Sequence, residues 1–171
     1  MINLTKVGIS VAVLSAAFFT LTFASPIQIH AGFELLGTVE GKIFVRPING
    51  PGSDNLTYQD TIATCYSAGY RIATLETQAQ NDVVEPFTSG EYGYRWSWID
   101  GIDLQTPDAF FSVNTGRNLT YFNWTKWGQR PLIGKDENNC IRISCNSGDC
   151  GWWDVKCTDR YSVICEVPVG N

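Results

Sequence analysis

The sequence predicts a single α+β domain, and three observations carry that reading. Two helical patterns lie early, between residues 58 and 86. From Trp96 onward the chain changes to short aromatic and alternating segments broken by Gly, Asn, Asp and Pro. All six cysteines fall between residues 65 and 165. Helices first and a loop-rich β region afterwards, with no internal repeat, charge block or low-complexity linker, describe helices segregated from antiparallel strands in one unit. Of the 171 residues, 44% are hydrophobic and 13% aromatic, ample for a packed core.

The N-terminus reads as an export signal. Lys6 precedes a charge-free run from Val7 to Ala24, and Thr22-Phe23-Ala24 has the small-x-small pattern that signal peptidase cleaves. This gives a leader over residues 1–24, an N-terminal tail over 25–39, and the domain over 40–168. The uncharged run continues to Ile29, long enough to span a bilayer, so an uncleaved membrane anchor is the alternative. Pro26, Gln28 and the threonines argue for cleavage. Either way the domain faces the oxidising, extracellular side.

Within the domain, Gly41 to Arg46 is strand-like, and Asn49-Gly50-Pro51-Gly52 ends it as a loop. Tyr58 to Ala68 is helical, with Tyr58, Ile62 and Cys65 on one face and Gly69 as the stop. A second helix starts at Thr77, whose capping-box partner is Gln80. Ala79, Val83 and Val84 give its apolar face, and Pro86 ends it. Cys140 to Ser144 and Tyr161 to Val167 alternate like half-buried strands.

Charge and composition exclude several functions. Lys and Arg total 12 against 17 for Asp and Glu, a formal net charge of −5, which offers no basic surface for nucleic acid. His30 is the only histidine and lies in the tail, so no Ser/His or Cys/His nucleophile is available. A glycosidase would use two carboxylates, here Glu137 and Asp154, but their spacing has no diagnostic value. The expectation is a protein that is not an enzyme. Six cysteines on the oxidising side read as disulfides, with 15 possible pairings, and the Cys-x-x-Cys spacing of a zinc site is missing.

The order of motifs supports a more specific reading. The helix carrying Cys65 is followed by Tyr70-Arg71-Ile72-Ala73-Thr74-Leu75, then Trp98-Ile99-Asp100-Gly101-Ile102-Asp103-Leu104. Phe110-Phe111-Ser112, Thr115-Gly116, Phe122-Asn123-Trp124 and Gly128-Gln129-Arg130-Pro131 come next. Asn139-Cys140, Trp152-Trp153-Asp154-Val155-Lys156-Cys157 and Ile164-Cys165-Glu166 complete the series. In this order and spacing the chain resembles a C-type lectin-like domain over about residues 40–168. That resemblance implies two helices with antiparallel sheets and a long loop region, stabilised by disulfides. It implies the pairs Cys65–Cys165 and Cys140–Cys157, which leaves Cys145 and Cys150 for a local bridge.

The resemblance also implies a calcium-dependent sugar site in the long loop, where hard oxygens hold Ca²⁺ and sugar hydroxyls complete its shell. The chain departs from that pattern at most positions. Gln129 is separated from Pro131 by Arg130, and Leu132 follows the proline. Asn138 stands two residues before Cys140 in place of Glu, with Asp136 and Glu137 beside it. In the Trp-Asn-Asp motif the Asn is Trp153, while Asp154 remains. Gln129, Glu137, Asn138 and Asp154 are therefore the candidate ligands of a degraded calcium site, with Asp136 available to a rearranged one. Trp153 joins those four residues as a candidate ligand contact. Trp98, Trp124 and Trp152 occupy buried family positions; Trp127 and Trp153 lie near the long loop, where an exposed ring would mark a binding patch.

Sequons at Asn55, Asn118 and Asn123 mark N-glycosylation, Asn55 and Asn118 being beside turn-like sequence and Asn123 beside a core tryptophan. The expected function is a secreted recognition module for glycans or glycoproteins. The alternative is a calcium-independent domain that binds a protein ligand. A membrane is involved only if the leader stays uncleaved.

Overall fold

The computed structural model describes residues 28–48, 53–89, 96–103, 109–126, 128, 139–146 and 148–168. Strand β1 (Phe33–Val39) pairs antiparallel with β2 (Lys42–Pro47). Glu40 at φ 49° and Gly41 at φ 77° make the two-residue turn between them, both central residues being left-handed as a twisted hairpin demands. Residues 33–39, within the expected 25–39 tail, thus form an edge strand. His30 is also tied down, its N–H donating to the Tyr70 hydroxyl at 2.7 Å. The loop expected at 49–52 lies outside the described residues.

Helix α1 (Tyr58–Ser67) begins at a complete capping box: Asp60 N–H donates to Thr57 Oγ1 at 3.2 Å, and Thr57 N–H to Asp60 Oδ2 at 3.0 Å. Its inner face is Tyr58, Thr61 and Cys65. Ile62, expected on that face, is 37% exposed. Thr61 replaces it because its hydroxyl bonds Tyr58 O at 2.6 Å and is buried without an unmet polar group. Gly69, at φ 76°, ends the helix.

The two-residue strand β3 (Arg71–Ile72) precedes helix α2 (Gln78–Val84), capped by Thr77 as expected. Gln80 Oε1 accepts from Glu76 N–H at 2.9 Å, so the reciprocal bond reaches one residue beyond the cap. Ala79 is exposed, and the buried face is Gln80, Asn81 and Val84. A 3-10 turn over Glu85–Thr88 carries Pro86 in its opening positions and closes the helical region.

Two sheets follow from the remaining strands, β4 (Ser97–Asp103), β5 (Phe110–Phe111), β6 (Asn139–Asn146), β7 (Asp149–Lys156), β8 (Ser162–Val163) and β9 (Cys165–Val167). One has the order β1-β2-β9-β3; the other runs β5-β4-β6-β7, with β8 parallel to β4. The register of β4 on β6 shifts between Trp98 and Ile102, and Gly101 sits there at φ 153°, where a Cβ would collide with the Ile141 side chain. One apolar cluster gathers Phe44, Leu75, Val84, Ile99, Ile141, Ile143, Trp152 and Ile164; a second holds Val45, Tyr58, Ile72, Trp98, Val163 and two cysteine bridges.

The bridges are Cys65–Cys165 and Cys140–Cys157, the two pairs implied by the family resemblance, and the local Cys145–Cys150. The first ties α1 to β9, and the second ties β6 to the chain leaving β7. No helix among the described residues is long and apolar enough to cross a membrane.

Candidate functional site

The β6–β7 hairpin is the platform for the described part of the site. It is in register from Asn139↔Lys156 to Asn146↔Asp149, with Cys145–Cys150 stapling its tip. Alternation along β7 sends Trp152 into the main core and Trp153 to the opposite face. Trp152 is fully buried, and its indole N–H donates to Asn81 Oδ1 at 2.8 Å, so α2 is pinned to the hairpin by one buried bond. Its backbone N–H donates to Asn123 O at 2.7 Å, and its carbonyl accepts from Thr125 N–H at 3.1 Å. These bonds lay the 123–125 segment beside β7.

Asp154, the last acid of the tryptophan motif, is half-buried opposite Ile141, and its backbone N–H donates to Gly128 O at 3.0 Å. Gly128 is required there because a Cβ would overlap the Trp152 carbonyl. Gln129, Asp136, Glu137 and Asn138 lie outside the described residues, as do Trp127, Arg130, Pro131 and Leu132. No group of three or more His, Cys, Asp or Glu side chains suited to a metal occurs among the described residues. Trp153, at a position where the family resemblance expects a calcium ligand, carries an indole with no oxygen to give, and its ring is engaged with a cation.

That cation is Arg142, which strand alternation would turn toward solvent. It is only 6% exposed. Its guanidinium carbon lies 4.1 Å from the Trp96 ring centroid, 5.0 Å from that of Trp153 and 5.2 Å from that of Tyr161. Burial pushes the arginine below its ordinary range, with Tyr161 and Asp159 opposing the shift. Among the described residues no carboxylate forms an ion pair with it; Tyr161 stands between, its hydroxyl donating to Asp159 Oδ2 at 3.2 Å. Taking a lone guanidinium out of water costs several kcal/mol, and each desolvated aromatic face returns up to about 2. Arg142 Nε and Nη1, Trp96 Nε1 and Trp153 Nε1 are buried with no hydrogen-bond acceptor. The sequence signal for this cluster is faint: an arginine centred in an apolar strand, with one tryptophan, Trp153, at the facing register.

Of the expected core tryptophans, Trp98 and Trp152 are fully buried, and Trp124 packs against the main cluster, half-buried and stacked on Phe122. The sequon residues Asn55 and Asn118 are exposed, whereas Asn123 is half-buried with its carbonyl held by Trp152. A second surface feature lies at the N-terminal end of α1. A groove of about 430 Å³ is lined by Tyr58, Ile62, Ile102, Val113 and Cys157 among others. Ile62 and Val113 are each 37% exposed there.

A sequence profile of the lectin C-type domain matches residues 54–167. Human tetranectin is 25% identical over 111 residues, covering 64% of this chain and 54% of its own length. The chain spans about half the length of the tetranectin sequences it matches. Among solved structures, the mouse scavenger receptor C-type lectin carbohydrate-recognition domain superposes with a TM-score of 0.60 at 15% identity, covering 82% of this chain and 98% of that one. A calcium-independent type II antifreeze protein superposes with a TM-score of 0.57 at 18% identity, covering 80% and 91%. At these identities the structural likeness shows the fold alone.

Proposed function

Because the chain belongs to the C-type lectin domain family, we propose that it is a secreted recognition module that binds glycans without the family's usual calcium bridge. The observation that carries this reading is Trp153. It occupies the position where the family pattern places a metal-ligating amide, and its ring packs on the Arg142 guanidinium. Leu132 and Arg130 in the loop pattern point the same way. Sugar contact would then rest on aromatic faces and direct hydrogen bonds. C-type lectin domains are generally recognition modules rather than enzymes, and the same role is proposed for this chain. Secretion is supported by the leader pattern over residues 1–24 and by three disulfides.

The test is binding of the full chain, expressed through a secretory pathway, to an immobilised glycan panel in millimolar Ca²⁺ and in EDTA. Binding that free sugar competes and EDTA leaves intact is expected. Loss of binding in EDTA would overturn the calcium-free part, and absence of binding to any glycan would overturn the glycan part. A second reading, a calcium-independent domain for a protein ligand, is favoured by the apolar groove at Ile62 and Val113. Its distinguishing result is a partner that Ile62→Asp releases while free sugars do not.

A further inference from the structure

We propose that Arg142, Trp96 and Trp153 form an oxyanion subsite that takes the carboxylate or sulfate group of an acidic glycan. The inference rests on the glycan reading above and narrows its ligand class. Arg142 lies on β6, the inner strand between β4 and β7, and is 94% buried by complement of its 6% exposure. A buried guanidinium ordinarily faces a carboxylate, and none among the described residues forms an ion pair with it. Asp159, an acid whose charge acts on it, is engaged by the Tyr161 hydroxyl.

The hydrogen-bonding inventory is one-sided. Arg142 Nε and Nη1, Trp96 Nε1 and Trp153 Nε1 all lack an acceptor, and every one of them is a donor. A neutral sugar hydroxyl brings a donor of its own to such a place. A carboxylate or sulfate brings acceptors only, together with the charge that Arg142 lacks. The rings fit the rest of a sugar. Trp96 and Trp153 lie over the guanidinium at 4.1 and 5.0 Å, are themselves half-buried, and offer faces on which a pyranose can stack beside its acid group. The part of these half-buried rings left exposed is where the acid group would enter toward Arg142.

The experiment is a ¹H–¹⁵N titration of the full chain in EDTA, following the indole N–H signals of its 6 tryptophans at constant ionic strength. The probes are glucuronate, sodium sulfate and glucose; single Trp→Phe variants assign the signals. Saturable shifts of the Trp96 and Trp153 signals with glucuronate, and none with glucose, are expected. Arg142→Met, which keeps the length and packing of the stem, should weaken glucuronate at least tenfold. Trp153→Phe keeps a ring and removes one donor, and should weaken it severalfold as read at Trp96; it decides the matter if Arg142→Met fails to fold. Unchanged affinity in either folded variant, or equal response to glucose, overturns the subsite. Saturation by sulfate alone assigns the place to a free inorganic anion and overturns the acidic-glycan assignment. Neutral-glycan binding in the panel that survives Arg142→Met overturns this subsite while leaving the glycan reading standing.

Discussion

The bond between Trp152 and Asn81 joins α2 to the hairpin that presents Trp153 and Asp154, and its contribution can be worked from the structure. Both residues are 0% exposed, so no solvent replaces a partner that is removed. Asn81→Leu strands the indole N–H of Trp152, formerly bonded at 2.8 Å, and frees Glu85 from the Asn81 amide that donates to it at 2.9 Å. A stranded buried donor costs about 1–3 kcal/mol, and the misfit of a branched apolar side chain adds about 1. The single variant should therefore lose about 2–4 kcal/mol, a fall of roughly 8–16 °C in Tm for a domain of this size. Trp152→Phe removes the donor and thins the contacts with Tyr121, Phe122 and Trp124. Urea unfolding of the wild type, both singles and the double variant closes a cycle whose coupling should be about 1–2 kcal/mol. Coupling below about 0.5 kcal/mol would refute the claim that this bond fastens the helix to the site.

Three further outcomes follow from the same structure. Replacing Cys65 and Cys165 together by Ala, which opens a 100-residue separation, should cost about 5 kcal/mol, against about 2 for Cys145 and Cys150 with their separation of 5; equal losses in denaturant melts would contradict this ordering. Burial above all raises the Asp100 carboxyl, opposed by hydrogen bonds from Ser112, Thr74, Val113 and Asn114. Its folded form then holds a proton more tightly than the unfolded chain, so its contribution is full below the ordinary Asp range and is lost as pH rises through the raised value. Wild type should accordingly lose stability relative to Asp100→Asn as pH rises above the ordinary Asp range, and parallel curves of urea midpoint against pH would contradict it. Mass spectrometry of the secreted protein should find glycans on Asn55 and Asn118 and leave Asn123 bare; occupancy at Asn123 would mean that its tether to Trp152 forms late.

What the sequence reveals and conceals divides along physical lines. Thr77 before a helix, Gly69 after one, and Pro86 at a break act within a few residues and are legible directly. The first strand is obscured because its register shifts between Leu35 and Gly37, so the alternation that marks a strand is interrupted, and Leu35 faces solvent at 52% exposure. On both helices the buried face includes polar residues, Thr61 and Asn81, whose partners lie in space or along the backbone; an apolar count selects Ile62 and Ala79 instead. Arg142 is the extreme case. Its burial depends on Trp96 and Tyr161 arriving from distant parts of the chain, which no local pattern encodes. Trp153 is legible as a departure from the family's ligand pattern, and its engagement with a cation is not.

The central claim is recognition without calcium at the family's usual position, and thermal unfolding of the full chain in millimolar Ca²⁺ and in EDTA tests it most directly. Metal at ~100 times its dissociation constant would add about 2.7 kcal/mol and raise Tm by several degrees. Coincident melting curves are predicted. A calcium-dependent rise that Asp154→Ala abolishes would contradict the account and show that the loop has rebuilt a metal site around Asp154.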